Sequence, residues 1–94
     1  MFYVYIVANR RNGTIYVGST DDLSRRIWQH RTKAFPGFTA KHGCDRLVWF
    51  GVQHTRLAAS ARERRIKEWK RLWKPRLIEE ANPTWADLYE TLNL

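Results

Sequence analysis

Cysteine and acidic residues are both scarce in this sequence. Cys44 is the single cysteine among 94 residues, and Asp and Glu together number 9 against 17 Lys and Arg. A lone cysteine excludes an internal disulfide, and no group of Cys and His has the spacing of zinc ligands. With so few acidic residues, a catalytic site built on several carboxylates is hard to supply. Because the chain has only one cysteine, a reduced, cytoplasmic setting is expected.

Long apolar runs, glycine-rich phosphate loops and linkers are also missing. No run approaches the ~20 apolar residues that a membrane-spanning helix needs, so we expect no membrane partner. The first residues lack the basic region and cleavage site of a secretory signal, and they predict a strand instead. A chain of 94 residues has room for one domain with a modest core.

The excess of basic residues is the most informative part of the composition. The formal net charge is +8. A small domain of this charge is attracted to polyanions, of which nucleic acid is the commonest. The alternatives are a solvated basic surface, an acidic protein partner or a membrane surface. The charge therefore favours a nucleic-acid partner.

The first third of the chain predicts two strands and a helix. β-Branched and aromatic residues crowd residues 2–8, and residues 14–19 resume the strand pattern. Between them, Asn12-Gly13 is the strongest short hairpin signal, because both positions tolerate a positive φ. Asp22 is a candidate N-cap, and apolar residues then recur at helical spacing, which predicts a helix over residues 22–33.

The remainder predicts one more strand and further helices. Residues 36–43 are interpreted as a loop, residues 46–52 as a short, well-buried strand, and residues 56–73, which lack Gly and Pro, as the longest helix. Pro75 ends that helix or begins the next short one. A further turn and a break at residues 82–85 precede a short C-terminal helix. This order predicts an α+β fold in which helices cover a small antiparallel sheet.

Two tyrosines and an Arg/His pair are the first candidates for chemistry. The hairpin brings Tyr5 beside Tyr16, and Gly18 allows a close approach to the backbone. A strand tyrosine usually serves packing, although a phenol in a cleft can donate or accept a proton. Arg26 and His30 are four residues apart and share a helix face, where they could bind a phosphate and relay a proton. An ordinary exposed helix surface is the alternative.

Glu63 and Glu68 both lie on the long predicted helix. Winding that helix at about 100° per residue puts Glu63 at one edge of a broad apolar arc and Glu68 at the other. Each glutamate could equally serve in an exposed ion pair, as Glu63 could with Lys67 four residues on. Periodicity does not choose between them. A single carboxylate could hold one Mg²⁺ if water and a substrate phosphate fill the other positions.

Together these residues resemble the motifs of the GIY-YIG nuclease superfamily, in particular its short stand-alone bacterial members. The similarity covers almost the whole chain, and the combined spacing of its motifs is specific. The matching segments are Tyr3-Val4-Tyr5, Tyr16-Val17-Gly18, Arg26 and His30, Arg62-Glu63-Arg64-Arg65-Ile66-Lys67-Glu68-Trp69, and Asn82-Pro83-Thr84-Trp85-Ala86-Asp87-Leu88. The resemblance implies one GIY-YIG-like domain over residues 1–94, with a three-stranded antiparallel sheet flanked by helices in the order β-β-α-β-α-α.

The resemblance also implies roles for individual residues. Tyr5 and Tyr16 match the two motif tyrosines, and one of them, Tyr16 in preference, would help to deprotonate the attacking water. Arg26 would stabilise the charge on the scissile phosphate, and His30 would assist proton transfer. Glu63 matches the carboxylate that binds the divalent ion, Mg²⁺ or Mn²⁺.

Gly18, Ser19 and Asn82 are the substrate-binding positions that the resemblance implies. Asn82 matches the late Asn of the family site, in a loop of variable length. Two positions depart from the family pattern. Tyr3 stands where the name motif has its first Gly. Ser19 stands where some members have a Lys that contacts phosphate or activates the base, although other members also have Ser there.

Three functions are open at this point. The leading hypothesis is an endonuclease that hydrolyses one strand of DNA, in preference to RNA, in DNA repair or recombination. The alternative is a weakly catalytic or non-catalytic nucleic-acid-binding module, in which Trp28, Phe38 and Trp49 stack on bases. Core packing is nonetheless the favoured role of these aromatics. The chain could also act as a subunit that a partner protein delivers to its substrate.

Overall fold

Strand β1 (Phe2–Ala8) is the central strand of a three-stranded antiparallel sheet. It pairs on one side with β2 (Ile15–Thr20) and on the other with β3 (Arg46–Gln53), so the strand order is β2-β1-β3. The computed structural model describes residues 1–93; Leu94, the last residue of the predicted domain, lies outside them. The last five residues of β1 are buried, because helices cover both faces of the sheet.

Within residues 1–93, four α-helices and a 3-10 helix accompany the sheet. They are α1 (Leu23–Thr32), α2 (Phe38–His42), α3 (Arg56–Lys67), α4 (Trp73–Ala81) and the 3-10 helix Tyr89–Asn93. This arrangement confirms the predicted α+β fold, a three-stranded antiparallel sheet flanked by helices. None of the described helices is both long and apolar enough to cross a bilayer.

Neighbouring side chains of β1 point to opposite faces of the sheet and enter two separate clusters. The cluster on the α3 side contains Val4, Ile6, Ala8, Val17, Ile66, Ile78 and Trp85. The cluster on the α1 side contains Tyr5, Val7, Leu23, Ile27, Cys44 and Leu47. The pleat of β1 therefore directs Tyr5 to the α1 side.

Helix α1 begins and ends where the sequence predicts. The Asp22 carboxylate accepts a hydrogen bond from the Arg25 backbone N–H at 3.2 Å, which satisfies one free donor of the first turn. Lys33 ends the helix in the left-handed conformation, with φ of 54°, and its N–H donates to the His30 carbonyl. These caps define the helical span that carries both Arg26 and His30.

The predicted β1–β2 hairpin is present, and its connection is one residue longer than the five residues, 9–13, that separate the predicted strands. Residues 9–14 join the two strands. Asn12 adopts the left-handed conformation (φ 57°), whereas Gly13 does not. Glycine is required at position 13 for space, because a Cβ there would lie 2.1 Å from Asn9 Oδ1, which accepts from the Thr14 N–H. The side chain of Asn9 therefore closes this loop.

Helix α3 ends at Lys67, so the prediction of one helix over residues 56–73 is wrong. The chain turns after Lys67, and Trp69 then packs against the core cluster on the α3 side. Leu77 of α4 packs against the same cluster. Pro75 lies in the first turn of α4, where its missing N–H has no helical partner to lose. The turn thus allows two apolar side chains to contact one core.

Two other segments differ from their predictions. Residues 36–43, interpreted as a loop, contain α2, which Gly43 ends in the left-handed conformation with φ of 67°. Strand β3 was expected to be well buried, yet Val52 is 48% exposed. The reason is that β3 forms an edge of the sheet, so parts of it face solvent.

Asn82 and Trp85 hold the C-terminal segment against the sheet. The buried Asn82 amide donates to the Val48 carbonyl at 3.0 Å and to the Ala86 carbonyl at 2.8 Å, and it accepts from the Ala86 N–H at 3.1 Å. The indole N–H of the buried Trp85 donates to Glu79 Oε2 at 2.9 Å. Asn82 thus replaces hydrogen bonds that water would otherwise make to buried backbone groups.

Asn82→Ala should lower the free energy of unfolding by about 2–4 kcal/mol, because it leaves the backbone groups bonded by this amide without partners. Urea unfolding followed by circular dichroism measures the change. Thr84→Ala, an exposed position in the same loop, is the control and should change stability by no more than about 0.5 kcal/mol. Equal stability of the two variants would contradict this structural role.

Candidate active site

Tyr5 and Tyr16 lie on the same face of the sheet, toward α1. Tyr5 pairs with Gly18 and Tyr16 pairs with Val7, so the pleat directs both phenols to one side. A Cβ at position 18 would lie 2.5 Å from the Tyr5 hydroxyl oxygen. The close approach expected at Gly18 is therefore made by this phenol, and substrate binding by Gly18 stays a prediction.

Helix α1 presents Arg26 and His30 to the Tyr5 hydroxyl. Arg26 Nε donates to the hydroxyl oxygen at 3.2 Å, and His30 Nε2 lies 2.9 Å from that oxygen. His30 Nδ1 lies 3.0 Å from Oγ1 of Thr39 on α2. Among residues 1–93, Arg26 forms no ion pair with a carboxylate, and one of its terminal nitrogens donates to the Gln29 side chain. Tyr5, Arg26 and His30 thus form one hydrogen-bonded set of side chains, the tyrosine group.

The directions of these hydrogen bonds are assigned from the donors available. The Tyr5 oxygen accepts from Arg26, so the phenol proton is assigned to His30 Nε2. His30 is then protonated at Nδ1, which donates to Thr39 Oγ1. Burial, together with the smaller effect of the nearby Arg26 charge, lowers the pKa of His30 to about 4. The imidazole is therefore neutral at physiological pH, as this assignment requires.

The Tyr5 phenol is also neutral at physiological pH. Burial raises the pKa of Tyr5 to about 12, although the hydrogen bond and the positive charge of Arg26 act in the opposite direction. Loss of hydration therefore outweighs the favourable contact with the cation. Tyr5 is a hydrogen-bond donor to His30 in this state rather than a phenolate.

The Glu63 carboxylate is held by two side chains at the margin of the sheet. Ser19 Oγ donates to Glu63 Oε1 at 2.6 Å, and Lys67 Nζ donates to Oε2 at 2.6 Å. The side chain of Glu63 is 22% exposed and that of Lys67 is 46% exposed. Glu68 follows the last residue of α3 and is exposed. Of the two glutamates that periodicity left open, Glu63 is therefore the one that contacts the strand.

Glu63 and the tyrosine group approach one sheet edge from opposite faces. Strand β2 forms that edge; Tyr16 faces α1, whereas Ser19 pairs with Val4 and faces α3. Lys67 Nζ lies 5.5 Å from the centroid of the Tyr16 ring, so a side chain of α3 reaches around the edge. The two groups therefore adjoin the same edge of the sheet.

A cleft of about 150 Å³ opens beside the tyrosine group. Its lining includes Tyr16, Arg26, His30, Phe35 and Phe38. Phe35 and Phe38 are 57% and 48% exposed. Within the described residues, the Tyr16 hydroxyl takes part in none of the side-chain hydrogen bonds of this group. The cleft therefore combines a guanidinium, a phenol without an internal partner in that group, and two accessible aromatic rings.

The structure brings most predicted site residues together and separates one of them. Those at the cleft or the β2 edge are Tyr5, Tyr16, Gly18, Ser19, Arg26, His30 and Glu63. Asn82 is separate, because its buried amide is bonded to backbone groups of β3 and the C-terminal segment. Its predicted contact with substrate stays a prediction.

Two side chains at the site carry no sequence signal. Thr39 and Phe35 lie in or next to the segment interpreted as a loop, where no periodicity marks them. Trp28 and Phe38 are 53% and 48% exposed, so the expectation of core packing is wrong for these two aromatics. Trp49 packs against the core cluster on the α3 side, as expected.

The residues present fit a single, weakly held divalent cation. In the part of the chain that the structure describes, no three side chains of His, Cys, Asp or Glu converge. Mg²⁺ needs few protein ligands, because it retains several waters and binds substrate phosphates. The ammonium of Lys67 lies 2.6 Å from Glu63 Oε2, so this oxygen already has a cationic partner.

The chain is similar to proteins of several organisms. It is 37% identical to the UPF0213 protein HQ_3675A of Haloquadratum walsbyi, over 83% of this chain and 86% of that protein. It is 30% identical to the UPF0213 protein CPE1444 of Clostridium perfringens over the full length of both. The solution NMR structure of the UPF0213 protein BH0048 from Bacillus halodurans superposes with a TM-score of 0.56, at 28% identity and with 93% of each chain covered.

The family comparison agrees with the geometry. Residues 1–76 match the GIY-YIG catalytic domain, and this range includes every residue of the cleft and of the Glu63 contact. GIY-YIG nucleases generally use divalent metal ions and bind nucleic acid. The chain therefore belongs to the GIY-YIG family.

Proposed function

We propose that this protein is an endonuclease that hydrolyses phosphodiester bonds in DNA with Mg²⁺ or Mn²⁺. The observation that carries the proposal is Arg26, a guanidinium without a carboxylate partner among residues 1–93, hydrogen-bonded to Tyr5 at the lining of a cleft. DNA rather than RNA, a role in DNA repair or recombination, and a cytoplasmic location are parts of this proposal that rest on the family resemblance and the single cysteine.

Arg26 is proposed to bind the scissile phosphate. Its Nε is oriented by the Tyr5 hydroxyl and one terminal nitrogen by Gln29, so the planar guanidinium is held before substrate arrives. The remaining N–H groups are available for phosphate oxygens, which a guanidinium can contact in pairs. Such a preorganised donor stabilises the charge that develops on phosphate during hydrolysis.

Tyr16 is proposed to help deprotonate the attacking water as its phenolate, after its own phenol proton has passed to solvent, with Tyr5 and His30 as positioning residues. Tyr5 is protonated and engaged with both Arg26 and His30, so its hydroxyl is poorly suited to act as a base. Tyr16 lines the same cleft, and its hydroxyl lies outside that chain of hydrogen bonds. The Tyr5–His30 contact then serves to hold Arg26 in place.

Glu63 is proposed to hold the divalent cation, with Ser19 orienting the carboxylate through its hydroxyl. The chemistry that such an ion supplies when bound is neutralisation of phosphate charge and polarisation of the bond to be cleaved. Arg26 would then bind the phosphate from one side of the β2 edge, while Glu63 would hold the cation from the other side. Ser19, predicted to bind substrate, is on this proposal a positioning residue for Glu63.

A nucleic-acid-binding module with weak or no catalysis is the second candidate. The observation that favours it is the exposure of Phe35 and Phe38 beside Arg26, because accessible aromatic rings next to cations stack on unpaired bases. Trp49 is partly buried against the core and cannot serve in this way. A partner protein that delivers the substrate is compatible with either candidate.

Metal-dependent nicking separates the two candidates. Highly purified protein should nick at least one of a panel of single-stranded, nicked, branched and supercoiled DNA in Mg²⁺ or Mn²⁺, and EDTA should abolish the cut. An RNA of matched sequence tests the preference for DNA. Retained binding without cleavage across the whole panel would refute the endonuclease and support the binding module.

Glu63→Ala should reduce the cleavage rate by at least about 10²-fold while leaving DNA affinity within about threefold, because charge neutralisation at phosphate is lost and the basic surface is not. Cleavage and fluorescence-anisotropy binding are measured on the same DNA. Glu68→Ala is the matched control, since Glu68 is exposed at the end of the same helix. The Glu68→Ala protein should cleave DNA at the rate of the parent. Equal cutting by Glu63→Ala and the parent would remove Glu63 from the mechanism.

His30 should stay neutral down to about pH 4, so the pH–rate profile should show no inflection near pH 6.5 from its protonation. Because the folded pKa lies below the unfolded value, the unfolded state binds more protons between these two values. The stabilising contribution of neutral His30 is therefore complete above pH 6.5 and is lost as the pH falls toward 4.

The check is an NMR titration of the His30 imidazole together with urea unfolding at several pH values. Glutamine does not titrate. In His30→Gln, the free energy of unfolding should therefore fall less steeply between pH 6.5 and 4 than in the parent, by up to about 1.4 kcal/mol per pH unit. A His30 resonance that titrates at its ordinary pKa would contradict the buried, neutral assignment.

A further inference from the structure

The Glu63 carboxylate has a resident counter-ion before any metal binds. Lys67 Nζ lies 2.6 Å from Oε2, while the Ser19 hydroxyl lies 2.6 Å from Oε1. Both oxygens are therefore engaged, one by a hydroxyl and one by a positive charge. The ammonium occupies the more accessible side of the carboxylate, where a second cation would have to approach.

An isolated ion pair four residues apart on a helix is ordinarily worth little, since both charges are well hydrated. This pair differs in two respects. The carboxylate is only 22% exposed and Ser19 fixes its orientation. In addition, the structure provides no convergent group of further acidic ligands within residues 1–93, so a cation at Glu63 has no second carboxylate to offset repulsion from Lys67.

The Tyr16 ring offers the Lys67 ammonium a second interaction partner besides Glu63. Lys67 Nζ lies 5.5 Å from the ring centroid, within the range of a cation–π contact. The flexible four-carbon stem of a lysine permits its ammonium to leave Oε2 while keeping this contact. Movement in that direction carries the charge toward the cleft that Tyr16 lines.

We infer that Lys67 competes directly with the divalent cation for Glu63, so that metal loading requires displacement of its ammonium toward Tyr16. The inference rests on the proposed role of Glu63. Lys67 is on this view a positioning residue that keeps the carboxylate neutralised in the metal-free protein and weakens its affinity for a cation. A phosphate in the cleft would offer the displaced ammonium a new anionic partner.

Mn²⁺ binding to DNA-free protein, followed by the EPR signal of free Mn²⁺, tests the inference without reference to activity. Lys67→Met removes the charge and keeps the length of the side chain, and it should tighten Mn²⁺ binding about tenfold. Lys67→Arg keeps the charge and should give no such gain. Lys70→Met is the matched control, because it removes one positive charge from the turn after α3, where Lys70 contacts Trp73.

A second readout is thermal stability. Mn²⁺ should raise the melting temperature of Lys67→Met more than that of the parent, because at a given concentration L a ligand stabilises the folded state more when its Kd is lower, by RT ln(1 + L/Kd). Glu63→Gln in the Lys67→Met background should abolish both gains. Lys67→Gln provides a second neutral variant if Lys67→Met does not fold.

Equal Mn²⁺ affinity in Lys67→Met and the parent would overturn the inference, as would an equal gain in Lys70→Met, which would reveal a general effect of net charge. Absence of Mn²⁺ binding by the DNA-free variants would overturn this inference, and its absence in the presence of DNA as well would also overturn the proposed metal site. Tighter binding in Lys67→Met without DNA cleavage by the parent would refute the nuclease and leave the competition by Lys67 standing.

Discussion

The arrangement of the site depends on how the buried hydroxyl of Tyr5 is hydrogen-bonded. An unpaired buried hydroxyl costs about 1–3 kcal/mol, so the fold must supply partners for it. Arg26 and His30 do so from one helix, and Gly18 leaves the space that the phenol occupies. Thr39 in turn satisfies the second nitrogen of His30. The contacts that satisfy a buried polar group are therefore the same contacts that orient the guanidinium in the cleft.

The position of β2 at the edge of the sheet explains how Glu63, the proposed metal ligand on one face, can lie next to the cleft on the opposite face. In a central strand, neighbours on both sides would separate the groups above the sheet from those below it. At the β2 edge, Lys67 extends from α3 to the ring of Tyr16, and Glu63 is bonded to Ser19 on the same strand. The alternation of side chains along β2 thus places Tyr16 on one face and Ser19 on the other. Because β2 is an edge strand, the side chains from the two faces can approach each other around it.

Much of the fold follows from local sequence, and the exceptions have a common physical cause. The Asp22 cap and the apolar spacing after it suffice to define α1, because the responsible contacts lie within one turn. The end of α3 does not follow from local sequence, because it depends on Trp69 reaching a core that β1 forms. The α2 turn also lacks a local signal, and its Thr39 contacts a histidine nine residues away. Contacts between elements decide what periodicity leaves open.

The same distinction between local and long-range contacts applies to the candidate site. The shared face of Arg26 and His30 is visible in their spacing of four residues, and so is the Glu63–Lys67 pair. Neither spacing reveals that Tyr5 joins the first pair or that Ser19 joins the second, since these contacts span 21 to 44 residues of sequence. The family resemblance placed Glu63 with the tyrosines, and the geometry supplies the physical connection through the β2 edge.

If the cleft binds phosphate and Glu63 binds the cation, as proposed, the charges of the side chains at the β2 edge favour phosphate as the first ligand. Glu63 is already paired with Lys67, whereas Arg26 has no carboxylate partner within residues 1–93. Lys67 and Arg26 therefore bring two positive charges to the region of the β2 edge, where Glu63 brings one negative charge, in a protein whose formal net charge is +8. On the proposed function, a phosphodiester entering the cleft would meet a positive potential, and a divalent cation arriving alone would be repelled by it. Because the incoming phosphate would add negative charge where Lys67 and Arg26 lie, binding of nucleic acid would lower the electrostatic cost of placing a metal ion at Glu63. Substrate and metal would then be coupled through charge, with no change of fold required.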